Sequence, residues 1–250
     1  MTKVIVAGAG GRVGQVMVAG LPGLDGVEVI GGFGRADAAA TLDRLLSRAD
    51  ALVDFTTAEA APAILLRAAR AGVRPVSGTT GLSAADLSEL NAALEDRGIG
   101  GVWAPNFAVG AALMMHFARI AARYLEAAEI IEMHHGAKAD APSGTAVATA
   151  RAIRAAHGAD LVDPPVGRWT LEGARGAIEG GVRVHSVRLP GLVAHQEVIF
   201  GGTGQTLTIR HDATGRDLYL SGVALSIRAA MDAASPGLIR GLDTVMGLGT

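Results

Sequence analysis

The 250-residue chain has no cysteine, which excludes disulfides, thiolate-ligated zinc and any covalent thioester route. Aldehyde dehydrogenation through a thiohemiacetal is closed to it, and its chemistry falls to His, Lys, carboxylates or a cofactor. A charge excess is missing as well. The 22 basic and 24 acidic residues leave a formal net charge of -2, so neither nucleic acid nor an anionic membrane is expected as a partner. No apolar run reaches the roughly 18 residues of a membrane span, and no secretory h-region precedes the first apolar stretch, so a cytoplasmic protein is expected. Internal repeats, low-complexity tracts and Pro-rich linkers are absent. Lysine is nearly so: Lys3 and Lys138 are the only two, and every other cation is Arg.

What is present is 50% hydrophobic and 18% charged, the composition of a compact fold. The length allows one large α/β domain or two smaller ones. Up to about residue 104, short β-branched runs alternate with Ala-rich amphipathic segments, the pattern of a parallel sheet covered by helices. Strands are expected at 3–7, 27–31, 51–54, 73–77 and 100–104, and Ser83 with Asp86 forms a capping-box signature before a helix. Pro105-Asn106 breaks this rhythm and marks a crossing into a second domain. There the pattern predicts a helix over 109–125, a strand over 129–134 and a helix from Ser143. A long Gly- and Pro-rich loop follows over 158–181. The runs 182–189, 192–200 and 205–210, separated by Pro190-Gly191 and Gly201-Gly202-Thr203-Gly204, read as an antiparallel meander. A last helix is expected over 217–234, returning to the first domain.

Gly8-Ala9-Gly10-Gly11-Arg12-Val13-Gly14 follows a Val/Ile strand and opens a helical pattern, the setting of a phosphate-binding loop. Gly8 allows the tight turn, Gly11 lets amides approach a pyrophosphate, and Gly14 permits close helix packing. The second strand carries no acid for ribose hydroxyls before Asp37. Arg35 and Arg12 can instead grip a 2'-phosphate, which favours NADPH at least as much as NADH; alternatively Arg35 is solvated and Asp37 caps the next helix. The ends of the later strands, with Phe55 and Thr56, Gly78 and Thr80, and Asn106 and Phe107, are each either nicotinamide and ribose contacts or ordinary caps.

The densest chemistry lies in Glu132-Met133-His134-His135-Gly136-Ala137-Lys138-Ala139-Asp140-Ala141-Pro142-Ser143-Gly144-Thr145-Ala146. The helix start at Ser143 to Thr145 offers free amides and a positive dipole end to an anion. Adjacent strand residues face opposite ways, so His134 and His135 divide their work: one supplies a proton, the other orients the substrate or packs. A polar loop with a Ser cap is the plain alternative. A metal site is not expected, because two neighbouring His with Asp140 lack a matching ligand spacing.

These motifs, with Asp54-Phe55-Thr56, Gly78-Thr79-Thr80-Gly81, Ala104-Pro105-Asn106-Phe107, the run 187–200 and the run 207–211, stand in the order and spacing of the dihydrodipicolinate (4-hydroxy-tetrahydrodipicolinate) reductase family, which the chain resembles over nearly its whole length. The resemblance implies an α/β fold: a Rossmann-type parallel-sheet dinucleotide-binding domain (1–105 and 216–250) plus an α+β substrate-binding and oligomerisation domain (106–215) with a mixed, largely antiparallel open sheet. It implies NADPH- or NADH-dependent reduction of a cyclic imine dicarboxylate in the diaminopimelate route to lysine, by a homotetramer. By position, His134 resembles the general acid and Lys138 the second catalytic residue. His135, Ser143, Gly144 and Thr145 match substrate-carboxylate positions, while Gly8, Gly11, Arg12, Val13, Arg35, Phe55, Thr56, Gly78, Thr80, Asn106 and Phe107 fall at or beside cofactor positions. The chain departs from many members in having Gly34 where they have an acid, and small Gly136 and Ala137 where several have basic side chains. Two other readings compete: a reductase of another cyclic imine or keto acid, and a nucleotide-binding regulator without activity, against which His134 and Lys138 speak.

Overall fold

A computed structural model describes residues 1–37, 39–232, 234 and 236–249. In chain order the first elements are β1 (Thr2–Ala7), α1 (Arg12–Gly20), β2 (Val27–Phe33), α2 (Ala39–Leu46), β3 (Ala51–Asp54), α3 (Ala61–Arg70), β4 (Arg74–Ser77), α4 (Ala84–Arg97) and β5 (Gly100–Trp103). There follow α5 (Val109–Ala121), β6 (Ala127–His134), α6 (Gly144–His157), β7 (Ala177–Glu179), β8 (Val182–Arg188), β9 (Ala194–Gly202) and β10 (Gln205–Ala213). The last are α7 (Tyr219–Asp232), β11 (Gly237–Arg240) and α8 (Leu242–Val245). The chain divides into two compact units, Met1–Val109 with Arg216–Thr250, and Gly110–Gly215. No helix among the described residues is long and apolar enough to cross a membrane.

The first unit is a Rossmann-type sheet with strand order β11-β5-β4-β3-β1-β2, parallel throughout. Its central strands read as unbroken apolar runs because both faces are covered: Val4, Ile5, Val6, Leu52 and Val53 are fully buried. β1 pairs with β2 on one side and β3 on the other, so the direction of winding reverses between β1 and β3. The crevice at the carboxyl ends of those two strands is where such sheets take ligands. The Ser83 capping box forms with both reciprocal hydrogen bonds. Two elements of this unit, β11 and α8, are unforeseen: β11 buries only Gly237 at the sheet edge, unlike the fully buried run of β3, and α8 is a single turn.

The second unit is a mixed five-stranded sheet, order β10-β9-β6-β8-β7. Its apolar face includes Ala128, Ile130, Val184, Val198 and Phe200, packed with Met114 and Ala118 of α5 and with Ala146, Ala150 and Ile153 of α6. The three runs do not form the expected antiparallel meander. β9 and β10 do form a hairpin, but β8 and β9 are not neighbours. β6 lies between them, parallel to β8 and antiparallel to β9. Turn residues mark where a strand ends but not which strand it joins; Pro190-Gly191 carries the chain as an arch over the end of β6, where Leu189 N donates to His134 O and His135 N to Val193 O. The expected loop over 158–181 also contains a strand, the short β7, paired antiparallel with β8.

Candidate active site

The candidate side chains fall into two sets, one in each unit. In the first, the turn after β1 requires glycine. Gly8 has φ +78°, and a Cβ on it would stand 2.5 Å from the Phe55 carbonyl oxygen. A Cβ on Gly14 would collide with the Gly8 carbonyl, so α1 starts in direct contact with the loop. Gly11 is the N-cap of α1 and no side chain caps the helix. The Gly11 amide itself is occupied, donating to Gly8 O at 2.8 Å. The first-turn amides of α1, those of Arg12 and Val13 among them, lack an intrahelical acceptor and lie at the positive end of the helix dipole.

Beside this loop the strand ends are tied together by Asp54, fully buried. Its Oδ1 accepts from Thr56 N at 3.0 Å and Thr56 Oγ1 at 2.6 Å. Its Oδ2 accepts from Ser77 Oγ at 2.6 Å and Thr79 Oγ1 at 2.8 Å. The hydroxyl of Thr56 is therefore committed to the protein, whereas Thr80 is exposed. Asn106 accepts from Ala108 N at 2.9 Å, closing a local turn. Phe107 is 1% exposed and meets Phe55 edge-on at 5.9 Å between ring centroids; its ring is a core residue, and only its backbone is available to a ligand. Gly78 has Phe55 against the position a Cβ would take. Arg12 and Arg35 are exposed. Asp37 does not stand idle, since its Oδ2 takes the Gly34 amide at 2.8 Å. A glycine cradle, open amides and two exposed guanidinium groups fit the phosphates of a dinucleotide.

In the second unit the centre is Glu132, a fully buried carboxylate that the sequence reading passed over. Its Oε2 lies 2.5 Å from His134 Nδ1. Arg188 donates to both oxygens, Nη1 to Oε2 at 2.9 Å and Nη2 to Oε1 at 2.7 Å, and Ser143 N donates to Oε1 at 3.2 Å. Glu132 and His134 share a face of β6 by the two-residue period, and their register partners on β8 are Ser186 and Arg188. That spacing, a carboxylate two residues before a histidine at a strand end, was the available signal. Burial pushes the Glu132 carboxyl upward, but hydrogen bonds from Arg188, Ser186 and His134 outweigh it and hold the group below its ordinary value. His134 is also lowered: burial is the largest cause, Glu132 opposes it, and the charges of Lys138 and Arg188 add to it.

Around this centre Arg188 Nη2 also donates to Asp140 O at 2.8 Å, fixing the loop that carries Lys138. Lys138 Nζ reaches both Asp140 oxygens, at 2.7 and 2.9 Å. His135 is exposed. Ser143 caps α6, its Oγ accepting from Ala146 N at 3.2 Å, so with its amide on Glu132 it is largely spent on the protein. Gly144 N and Thr145 N keep no partner among the described residues. No atom lies within 4 Å of where a Cβ on Gly144 or Gly136 would be.

The chain matches the family described as dihydrodipicolinate reductase, the N-terminus over residues 2–107 and the C-terminus over 110–246. A 4-hydroxy-tetrahydrodipicolinate reductase of Moorella thermoacetica is 44% identical over 263 residues, covering 98% of this chain and 97% of the relative. One from Bacillus subtilis is 51% identical over 197 residues, 79% of this chain and 73% of the relative. Among solved structures, dipicolinate-bound dihydrodipicolinate reductase from Paenisporosarcina sp. TG-14 superposes with a TM-score of 0.88 at 36% identity, over 98% of this chain and 99% of that one. An amine dehydrogenase of Mycobacterium smegmatis, at 15% identity and a TM-score of 0.63, shares the fold alone. Family and fold make the nucleotide a nicotinamide dinucleotide, and over both of its units the chain belongs to the dihydrodipicolinate reductase family.

Proposed function

We propose that the protein reduces 4-hydroxy-tetrahydrodipicolinate, by way of its dehydrated cyclic imine, to tetrahydrodipicolinate in the diaminopimelate route to lysine. The observation that carries this is the company of His134: a half-buried histidine fixed by the fully buried Glu132, next to a lysine and an open helix start. The bound nicotinamide supplies the hydride. What the protein must add is one proton at carbon and a cradle for two carboxylates.

His134 gives that proton. Gly144 and Thr145 amides take one carboxylate of the ring, helped by the positive end of α6. Gly144 has open space where a Cβ would be and no positive φ, so packing does not demand glycine there; a close ligand does. Lys138 meets the substrate by turning from Asp140, and His135, exposed on the opposite face of the strand end, contributes at the rim. Ser143 acts through its hydroxyl hydrogen, its other polar groups being engaged. In the first unit the amides of Arg12 and Val13 hold the pyrophosphate, Gly8, Gly11 and Gly78 let it approach, and Phe55, Thr56, Thr80, Asn106 and the Phe107 backbone border the rest of the nucleotide. Arg12 and Arg35 favour a 2'-phosphate, so NADPH serves at least as well as NADH.

The reading includes a homotetramer in the cytoplasm. Support for assembly comes from the edge strand β10, with Leu207 43% exposed, beside an apolar hollow lined by Phe117, Ile120, Tyr124 and Ile209. The deciding assay mixes enzyme, NADPH and freshly synthase-generated substrate and follows the loss of nicotinamide absorbance. Turnover is expected; nucleotide binding without oxidation would leave the regulator reading in its place.

A further inference from the structure

The proton donor of the proposed reaction does not stand alone. His134 Nδ1 faces a carboxylate that has no freedom of its own: Arg188 holds both Glu132 oxygens, and the Ser143 amide reaches one of them. Glu132 is fully buried, with no water-exposed surface through which to relax. It is kept in its charged form by the Arg188 guanidinium, the Ser186 hydroxyl and His134 against the pull of burial. An ionised carboxylate accepts and cannot donate, so the nitrogen facing it carries the hydrogen.

We propose that Glu132 is the positioning residue of His134, with Arg188 as its clamp: the pair holds the imidazole with Nδ1–H on the carboxylate and leaves Nε2 as the nitrogen that takes up and delivers the proton. This rests on the reading of His134 as proton donor. In the step itself the Nε2–H bond breaks, a C–H bond forms from the electron pair of the reduced ring, and the imidazole is left neutral with Nδ1–H still directed at Glu132. A free imidazole would divide itself between two tautomers and many orientations, and only one combination delivers from Nε2. The same Arg188 anchors the Asp140 carbonyl, so the loop bearing Lys138 takes its place from the same clamp.

The charged groups facing His134 set the direction of the pH test. Glu132 favours the imidazolium, while Lys138 from the loop and Arg188 from β8 disfavour it, with Asp140 shielding Lys138. Removing the Glu132 charge leaves only burial and the two cations. The donor form is then lost at lower pH, and the limb on which kcat/KM falls with rising pH moves downward.

The experiment has two arms. Ring-¹⁵N spectra of the full-length enzyme across the pH range, with the His134 signals identified by their loss in His134→Gln, should show Nδ1 protonated throughout and Nε2 titrating. A neutral His134 protonated at Nε2, or averaging between tautomers, overturns the proposal, and this arm needs no variant at Glu132 to fold. In the second arm, Glu132→Gln should lower kcat by about ten- to a hundredfold, within what loss of general-acid function can cost, with KM little changed. Its alkaline limb should shift to lower pH, and Glu132→Asp should recover part of both. A pH limb identical to wild type, with activity lost only in proportion to folded protein, would assign Glu132 a structural role and overturn the proposal. Failure of the donor reading is separate: it would appear as near wild-type kcat in His134→Gln, whatever the ring spectra report.

Discussion

Asp54 and Ser77 stand opposite each other in register on β3 and β4, and the serine hydroxyl gives its hydrogen to the carboxyl at 2.6 Å. With Thr56 and Thr79 added, one buried carboxyl gathers three hydroxyls and an amide at the carboxyl edge of the sheet. Asp54→Ala strands those donors without an acceptor, and a loss of about 2–4 kcal/mol is expected from the desolvation cost of buried unpaired groups. Asp54→Asn, which keeps the shape, should lose less. Urea denaturation checks both, and equal midpoints for Asp54→Ala and wild type would refute the arrangement.

The contact of Gly14 on the Gly8 carbonyl leads to a second expectation. In Gly14→Ala the added methyl must push α1 away from the loop, costing about 1–3 kcal/mol as an overpacked contact. The nucleotide should suffer more than the fold, because the Arg12 and Val13 amides move with the helix. Titration of NADPH fluorescence should show a rise in Kd of about tenfold or more, of the order one or two charge-assisted hydrogen bonds carry. Unchanged affinity would mean that the loop does not hold the phosphates.

Removing the proton donor should separate the kinetic constants. His134→Gln is expected to reduce kcat by about 10²–10⁴, the usual share of general acid catalysis, with a modest change in KM. Lys138→Ala should damage both constants, since the lysine meets the ground-state dianion as well as the transition state. Steady-state kinetics on synthase-generated substrate tell the two apart.

Nucleotide choice is expected to follow Arg35. Arg35→Ala should raise KM for NADPH by about tenfold, the size of one charge-assisted contact, and leave NADH nearly untouched. If wild-type kcat/KM for NADH exceeds that for NADPH by more than tenfold, the 2'-phosphate role of Arg35 and Arg12 is wrong.

Stability should fall on acidification in two stages. His134 and His211 are both lowered chiefly by burial. The unfolded chain therefore binds protons first, and stability declines as pH drops through the range of an unperturbed histidine, about 6.5. Glu132, held low mainly by Arg188 against burial, contributes stability that is complete above the unfolded carboxylate range, about 4.3, and is lost as pH falls through its folded value. Urea midpoints measured from pH 8 to 4 follow the decline. A flat profile between 7 and 5 would contradict the histidine stage.

The parallel sheet was legible because strands covered on both faces leave unbroken apolar runs, and Val4 to Ala7 or Ala51 to Val53 admit little else. The place of β6 was not. Alternation says which face of a strand is buried but not which strand lies beside it, and the turn at Pro190-Gly191 looks the same whether it closes a hairpin or arches over another strand. Likewise β7 and β11 are edge strands with almost no buried apolar side chain, so no hydrophobic run announces them. At the site, His134, Lys138 and the helix start were marked by rare residue types at close spacing. Glu132 and Arg188 were hidden because an acid and an arginine more than fifty positions apart resemble surface residues until the register brings them together, and Phe107 looked available until the fold closed over its ring.

The arch over β6 bears on the order in which the molecule can be made. β6 leaves the ribosome well before either of its neighbours, and both edges of an apolar strand stay unsatisfied until β8 and then β9 have been synthesised. His134, at its tip, gains its surroundings only once the chain has passed Ala194. Competence therefore comes late and all at once: a nascent chain stopped short of that point carries every residue of the His134 to Thr145 block and still has nowhere to put a proton.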